Sequence, residues 1–359
     1  MKVCILGSGL SSLSLAKGLI NLGLRVDIFS NNLRNIYNKS QTIGISKTNI
    51  EFFNKNIIKI NKFLWDINNI EIQSENLEFE KILNFENNNQ TLFSTIKNYK
   101  LYNFLLTNLK KNKLFNHKKN PINLMIINKY DLIINTSANN QISKKFFFKK
   151  IEKKYNSFGY VTIIHHKKIK SNKTATQIFT KKGPLAFLPI SDKETSIVYS
   201  MRGEIGLTKK ELLKLIKVKY KKLEIQKVDS LKKFDLKSSN LRVYHHKNIL
   251  AFGDELHRIH PLAGQGFNMV IRDISLLIDL IIFKKNLGLK IDSSICVDFE
   301  KKIKSPNFLF SSGIDFIYEF FKFESKINNN LLSKSIQFLG KNKSMTKFFT
   351  RVADKGIII

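Results

Sequence analysis

Apolar positions along the first thirty residues switch between two periods. Residues 2–6 (KVCIL) are a continuous apolar run ending at Gly7, the mark of a short buried strand. Leu10, Leu13, Ala16 and Ile20 then recur at helical spacing, and residues 24–29 (LRVDIF) return to a strand. The pattern predicts a βαβ unit. Residues 130–136 (YDLIINT) and 248–253 (NILAFG) are further apolar runs of the kind that parallel sheets bury on both faces, and a helix is predicted after the second, over 266–284. Other segments have a different grain. Residues 66–96 and 155–201 carry β-branched and aromatic runs broken by turn residues, which read as antiparallel strands. Residues 183–190 (GPLAFLPI) hold two prolines and exclude a helix, whereas 208–222 read as an amphipathic helix capped by Thr208.

These elements sum to an α/β protein. A Rossmann-like nucleotide-binding domain (1–65, 97–150 and 240–300) is interrupted by a mostly antiparallel β-sheet domain (66–96 and 151–239). A helical carboxyl-terminal region, 301–359, follows. Length permits this, since 359 residues suffice for two domains.

Charge changes the picture. With 61 Lys+Arg against 28 Asp+Glu, the formal net charge is +33. Drift toward A/T-rich codons enriches Lys, Asn, Ile and Phe together but does not remove Asp and Glu to this extent. The remainder points to an anionic environment: a lipid surface, nucleic acid or anionic metabolites. No basic reading motif accompanies the charge, so nucleic acid is not expected as a partner. Cys4 lies inside an apolar strand and Cys296 is the only other cysteine, which excludes a disulfide framework and fits a reducing compartment. The first strand leaves no room for a signal peptide, and the longest apolar run, 274–283, holds Asp279 and is too short to span a bilayer. A cytoplasmic protein, soluble or peripheral at the inner face of the membrane, is the expectation. From Phe299 onward aromatics and lysines alternate, either as core helices with a basic face or as a membrane-contacting face.

Two motifs carry chemistry. GSGLSS (7–12) follows a strand and opens a helix: Gly7 permits the tight turn, and Gly9 lets a pyrophosphate approach the helix amino end. Ser12 stands where a third glycine is usual. The acidic ribose partner expected at the end of the second strand is Ser30, with Asp27 inside the strand instead. The second motif is GDELHRIHPLAGQGFNMVIRDI (253–274), in a stretch with no lysine between Lys247 and Lys284. Asp254, read as buried, would stand at the carboxyl edge of the sheet. Gly264 and Gly266 would bring backbone N–H groups at a helix amino end against a flat, electron-rich ligand, the helix end supplying the positive field.

This second motif resembles the FAD-binding motif of the flavoprotein aromatic hydroxylases, in the UbiH/UbiF-type ubiquinone-biosynthesis branch. The residues that carry the resemblance are Gly253, Asp254, His257, His260, Pro261, Leu262, Ala263, Gly264, Gln265, Gly266, Asn268, Arg272 and Asp273; Glu255 and Leu256 replace two small residues. GPLAFLP (183–189) is similar to a segment of the family's substrate domain. The resemblance implies that Asp254 holds the ribitol and that the 261–266 backbone lies along the isoalloxazine. It implies an oxidoreductase that takes electrons from NAD(P)H or another donor, captures O2 as a flavin hydroperoxide and hydroxylates a polyprenylated phenol or quinone precursor. Gly7, Gly9, Ser12, Ser30, Gly253, Asp254, Pro261, Gly264, Gln265, Gly266 and Asn268 are the expected cofactor-binding residues, and His257 the candidate acid–base residue. Other proteins of ubiquinone biosynthesis and an anionic membrane surface are the implied partners.

The departures leave a second reading open. Ser30 replaces the family's acid, Gln41 its arginine, and NTSANN (135–140) lacks the Asp-Gly that serves the pyrophosphate. A non-catalytic or weakly FAD-binding paralogue, acting as a scaffold in the same pathway, would show such losses. His257 and His260 have HxxH spacing without a third ligand, so no metal is expected. His165–His166 and His245–His246 read as strand residues facing both sides of a sheet.

Overall fold

The computed structural model describes the chain except residues 35–36, 87–89, 120–128, 204–205, 221–222, 262–263, 328–329 and 358–359, and the side chains at 219, 331–332 and 343. Nine helices lie among the described residues: α1 (Leu10–Asn21), α2 (Lys47–Asn56), α3 (Asn98–Lys110), α4 (Gln141–Phe146), α5 (Lys209–Lys219), α6 (Gln265–Asn286), α7 (Ser294–Ile327), α8 (Leu331–Gly340) and α9 (Lys343–Lys355).

The predicted βαβ start forms. Strand Lys2–Leu6 is the fourth of a six-stranded sheet, between Leu132–Asn135 and Arg25–Phe29; Ile249–Ala251 lies beyond the first and Phe115–Lys118 beyond the second. These five strands are parallel, and His245–His246 adds an antiparallel edge. Parallel strands need crossovers, and α1 supplies the first, packing against α3 and α6 over the main core. The run at 248–253 is therefore the strand whose carboxyl end lies two places from the end of Lys2–Leu6. That topology brings the two glycine motifs, almost 250 residues apart in sequence, to one sheet edge.

A nine-stranded sheet forms the second layer, ordered around the long strand Lys150–His166, which pairs with Glu194–Arg202 and Lys232–Leu241. Gly183–Pro189, barred from helix by its prolines, is an interior strand between Thr174–Thr180 and Glu194–Arg202. The run expected to be antiparallel over 66–96 divides. Asn69–Ser74 and Glu80–Glu86 join the large sheet, whereas Trp65–Ile67 and Phe93–Lys97 form a small sheet with Thr42–Ser46. A bond from Thr42 Oγ1 to Ser196 Oγ, 2.8 Å, ties the small sheet to the large one. The Thr208 cap forms as a complete capping box with Glu211; residues 221–222 of the expected helix lie outside the described residues.

Helix α7 crosses the large sheet, burying Phe310, Ile314, Tyr318 and Phe321 against Tyr155, Phe179 and Leu236. Helices α8 and α9 then return to Glu80–Glu86 and α2. Both cysteines are free and buried, and burial pushes both thiols well above their ordinary value. They are packing residues. Among the described residues no helix is long and apolar enough to cross a membrane.

Candidate cofactor site

The amino end of α1 is built by exclusion of side chains. Gly7 has φ +121°, and a Cβ there would collide with Thr136 Oγ1. Only glycine makes this turn without displacing the neighbouring strand end. Ser12, in the third-glycine position, is buried, and its Oγ meets Thr136 Oγ1 at 2.7 Å, while Thr136 also donates to the Leu6 carbonyl. Ser12 thus fastens α1 to the end of Leu132–Asn135 and presents nothing to a ligand. Gly9 caps α1 with extended backbone and no side-chain bond of its own, so apart from Leu10 N, which donates to Tyr37, the first turn keeps its donors and the positive end of its dipole.

Facing it is the second motif. Gly253, with φ +60°, opens one turn of 3₁₀ helix, and a Cβ there would lie 3.1 Å from Ser11. The two turns are therefore in contact. Asp254 is not buried as its sequence context suggested: its side chain is 70% exposed, with Arg258 Nη2 at 3.8 Å. The 3₁₀ turn rotates Asp254 outward and sends the next residue, Glu255, inward. Glu255 accepts from Ser143 Oγ and from Lys150 Nζ at 3.3 Å. Burial pushes its carboxyl above the usual range, and Ser143 and Lys150 oppose that shift. The acid that replaced a small family residue is thus a tether to α4, and its exposed neighbour is the available carboxylate.

The stretch 264–268 is held from the small sheet. Gly264, with φ +65°, caps α6, and a Cβ there would meet the Gly44 amide at 3.5 Å. Asn268, expected on the cofactor, is instead buried as a clip. Its Oδ1 accepts from Ser46 N and Asn49 Nδ2, both at 3.0 Å, and its Nδ2 donates to Gly44 O at 2.9 Å. It fixes the loop that would face a ring. Gln265 Oε1 is buried without a partner among the described residues, and Gly266 lies in the first turn of α6. Pro261 is half-buried, and residues 262–263 of the expected 261–266 contact lie outside the described residues.

His257 does not serve as the acid–base residue the resemblance suggested. Its side chain is 1% exposed, and Nε2 lies 2.6 Å from Asp273 Oδ2, beneath α6. Asp273 Oδ1 in turn accepts from Asn307 Nδ2 at 3.0 Å. A group sealed in this way cannot touch a substrate; it joins strand, α6 and α7. His260 is fully buried between Tyr155 and Tyr318, with neither ring nitrogen bonded among the described residues. Burial, reinforced by Lys153, lowers its pKa to about 3.

The three departures are also satisfied internally. Ser30 Oγ lies 3.1 Å from His117 Nε2, which also meets the Ser30 carbonyl at 3.0 Å. Asp27 is buried, receiving bonds from Tyr130 and Asn116 with Lys2 nearby, and does not substitute as ribose partner. Gln41 turns back to accept from Asn38 N at 3.2 Å. Asn135 and Asn140 bond each other, and Asn140 caps α4. Sequence reasoning missed Tyr37, whose hydroxyl accepts from the Leu10 amide at 3.0 Å; no spacing rule connects a loop tyrosine to a helix end.

No protein-family model matches the chain. Its fold is that of the FAD-dependent aromatic monooxygenases. p-Nitrophenol 4-monooxygenase PnpA from Pseudomonas putida superimposes with a TM-score of 0.77 over 99% of this chain and 98% of that one, at 13% identity. HpxO from Klebsiella pneumoniae, in a variant form complexed with FAD, gives 0.71 over 99% of both, at 11%. Within that class its sequence is similar to hydroxylases of the UbiH/UbiF type. Its sequence is 31% identical to the mouse ubiquinone biosynthesis monooxygenase COQ6, over 35% of each chain. It is 29% identical to the Escherichia coli 3-demethoxyubiquinol 3-hydroxylase, over 40% of this chain and 38% of that protein. The matched stretches cover little more than a third of these relatives' lengths.

Proposed function

We propose that this chain is an FAD-dependent monooxygenase that hydroxylates the ring of a polyprenylated phenol or quinone precursor in ubiquinone biosynthesis. Electrons come from NAD(P)H or another donor, and the oxygen from O2. The observation that carries this reading is the contact between the two glycine turns, which sets the exposed Asp254 carboxylate beside the amino end of α1. The residues present fit the cofactor. Gly7 and Gly253 let the two turns close on Thr136 and Ser11 without a side chain between them, and Gln265 Oε1 at the start of α6 is a buried acceptor without a partner among the described residues.

The α1 end would face the pyrophosphate, Asp254 would accept from ribitol hydroxyls, and Gly264 to Gly266 would lie against the isoalloxazine. When bound, the flavin supplies the redox and oxygen chemistry; the chain's own residues bind, orient and exclude water. The 1–65, 97–150 and 240–300 segments form the cofactor part in this reading, and 66–96 with 151–239 the substrate part, roofed by 301–359. A polyprenyl substrate is confined to a bilayer, so the protein works peripherally at the inner face of the membrane, with other proteins of the pathway as partners. Exposed Phe316, Phe323, Phe338 and Phe348 on α7 to α9, set among lysines, support that placement.

A weakly FAD-binding scaffold is the second reading. It is favoured by Ser30 Oγ and Gln41 Oε1, which already have partners within the chain. Expression in a strain lacking the corresponding hydroxylase distinguishes the two. The enzyme reading expects the accumulated precursor to disappear and its hydroxylated product to form. Persistence of the precursor, with the protein folded and present, rejects it.

A further inference from the structure

One side chain stands where the proposed cofactor's phosphate would have to go. The hydroxyl of Tyr37 is 3.0 Å from the Leu10 amide, the first donor of α1. A Cβ built on Gly9 would come within 3.5 Å of the same oxygen, so the hydroxyl lies directly over the glycine that a pyrophosphate approaches. The tyrosine ring packs on Tyr102, with centroids 5.6 Å apart, and Tyr102 is a fully buried residue of α3. The ring is thus based on a fixed wall and its tip reaches the helix end.

The amino end of a helix leaves donors that a side chain, water or an anion must satisfy. In this chain Gly9 offers no cap of its own. An amide N–H has one proton to give, and the oxygen receiving it excludes another oxygen from the same place. We propose that Tyr37 is a displaceable cap on the phosphate-binding end of α1, so that a dinucleotide enters the site only by expelling the tyrosine hydroxyl from the Leu10 amide. This inference rests on the FAD reading above and adds a gate to it.

Two features make the exchange favourable once a dinucleotide arrives. Burial raises the Tyr37 pKa; its bond from Leu10 opposes the shift and the Asp254 carboxylate adds to it, so the cap is a neutral oxygen. A pyrophosphate brings full negative charge to the same donors and the same dipole, and charge-assisted bonds are about twice as strong as neutral ones. The hydroxyl sits over the helix end, where the pyrophosphate would lie. Departure of the tyrosine therefore clears the helix end. Without a ligand, the cap shields the helix end from stray anions, a real hazard for a chain carrying +33.

Tyr37→Phe removes the hydroxyl and keeps the ring on Tyr102; Tyr37→Ala removes both. Flavin fluorescence quenching gives the FAD dissociation constant of each full-length protein. The proposal expects Tyr37→Phe to bind FAD about three- to tenfold more tightly, the equivalent of one neutral hydrogen bond no longer broken on entry. Tyr37→Ala should bind at least as tightly as Tyr37→Phe. Weaker binding by Tyr37→Phe overturns the gate and makes the hydroxyl a ligand-holding group. Absence of FAD binding by all three proteins rejects the cofactor reading, and the cap is then judged from amide hydrogen exchange at Leu10 in the ligand-free chains. Faster Leu10 exchange in Tyr37→Phe than in the parent supports the cap; equal exchange removes it.

Discussion

Replacing His257 by alanine tests how the motif at 253–273 is held. His257 Nε2 and Asp273 Oδ2 are 2.6 Å apart, with side chains 1% and 0% exposed. The remaining Asp273 oxygen is taken by Asn307. Truncation leaves a buried carboxylate oxygen with no partner and a cavity beneath α6. Removing one member of a buried pair costs about 3–5 kcal/mol. With roughly 2–4 °C lost per kcal/mol in a large domain, the unfolding midpoint should fall by about 10 °C. Asn307→Leu, which removes a single bond to the same carboxylate, should cost less, about 1–3 kcal/mol. Scanning calorimetry and circular dichroism measure both. If His257→Ala melts with the parent protein and loses only turnover, the structural assignment is wrong and His257 acts in the chemistry.

Three further outcomes are expected. Ser30→Glu places a carboxylate at the end of the second strand, beside His117, and should tighten FAD by about 1–3 kcal/mol in a fluorescence titration; an unchanged or weaker constant means the adenosine is gripped elsewhere. His260 has its pKa lowered from 6.5 to about 3 by burial and by Lys153, so below pH 6.5 the unfolded chain binds a proton that the folded chain refuses. Stability is then full above pH 6.5 and falls by about 1.4 kcal/mol for each unit of acidification toward pH 3; His260→Phe should flatten the pH 7 to pH 5 part of that curve, and an identical slope in denaturant titrations contradicts the assignment. In a flotation assay the chain should bind anionic liposomes at low salt and lose much of that binding at high salt, because surface attraction fades over roughly 8 Å at physiological ionic strength. Equal, negligible binding to anionic and neutral liposomes removes the membrane placement.

What the sequence made legible was periodic. Lys2–Leu6, α1 and Arg25–Phe29 follow from the change between strand and helix spacing, and α6 extends its predicted span by only one residue at the start and two at the end. Thr208 announced its helix because a capping box acts within four residues. Properties that depend on the third dimension were hidden. The turn at Gly253 decides that Asp254 faces out and Glu255 faces in, and no pattern of polar residues distinguishes two adjacent acids. Asn268 belongs to the motif, yet its partners Gly44, Ser46 and Asn49 lie more than 200 residues earlier. Asp354 caps α2 through Thr48 from 306 residues away, which joins the end of α9 to the loop that Asn268 clips. The two histidines of the motif looked chemical because histidine usually is; burial against Asp273, and between two tyrosines, makes them structural.

The most direct test of the cofactor assignment is the FAD content of the purified protein set beside that of Asp254→Ala, read from the flavin absorbance spectrum and a fluorescence titration. Asp254 is exposed and its nearest charged partner is Arg258 at 3.8 Å, so the substitution should leave the melting temperature nearly unchanged. The account predicts non-covalent FAD in the parent and its loss from the variant, with affinity reduced by about 1.5–3 kcal/mol for a lost charge-assisted bond. Equal flavin content and equal affinity in the two proteins, or no flavin binding by the folded parent, would contradict it.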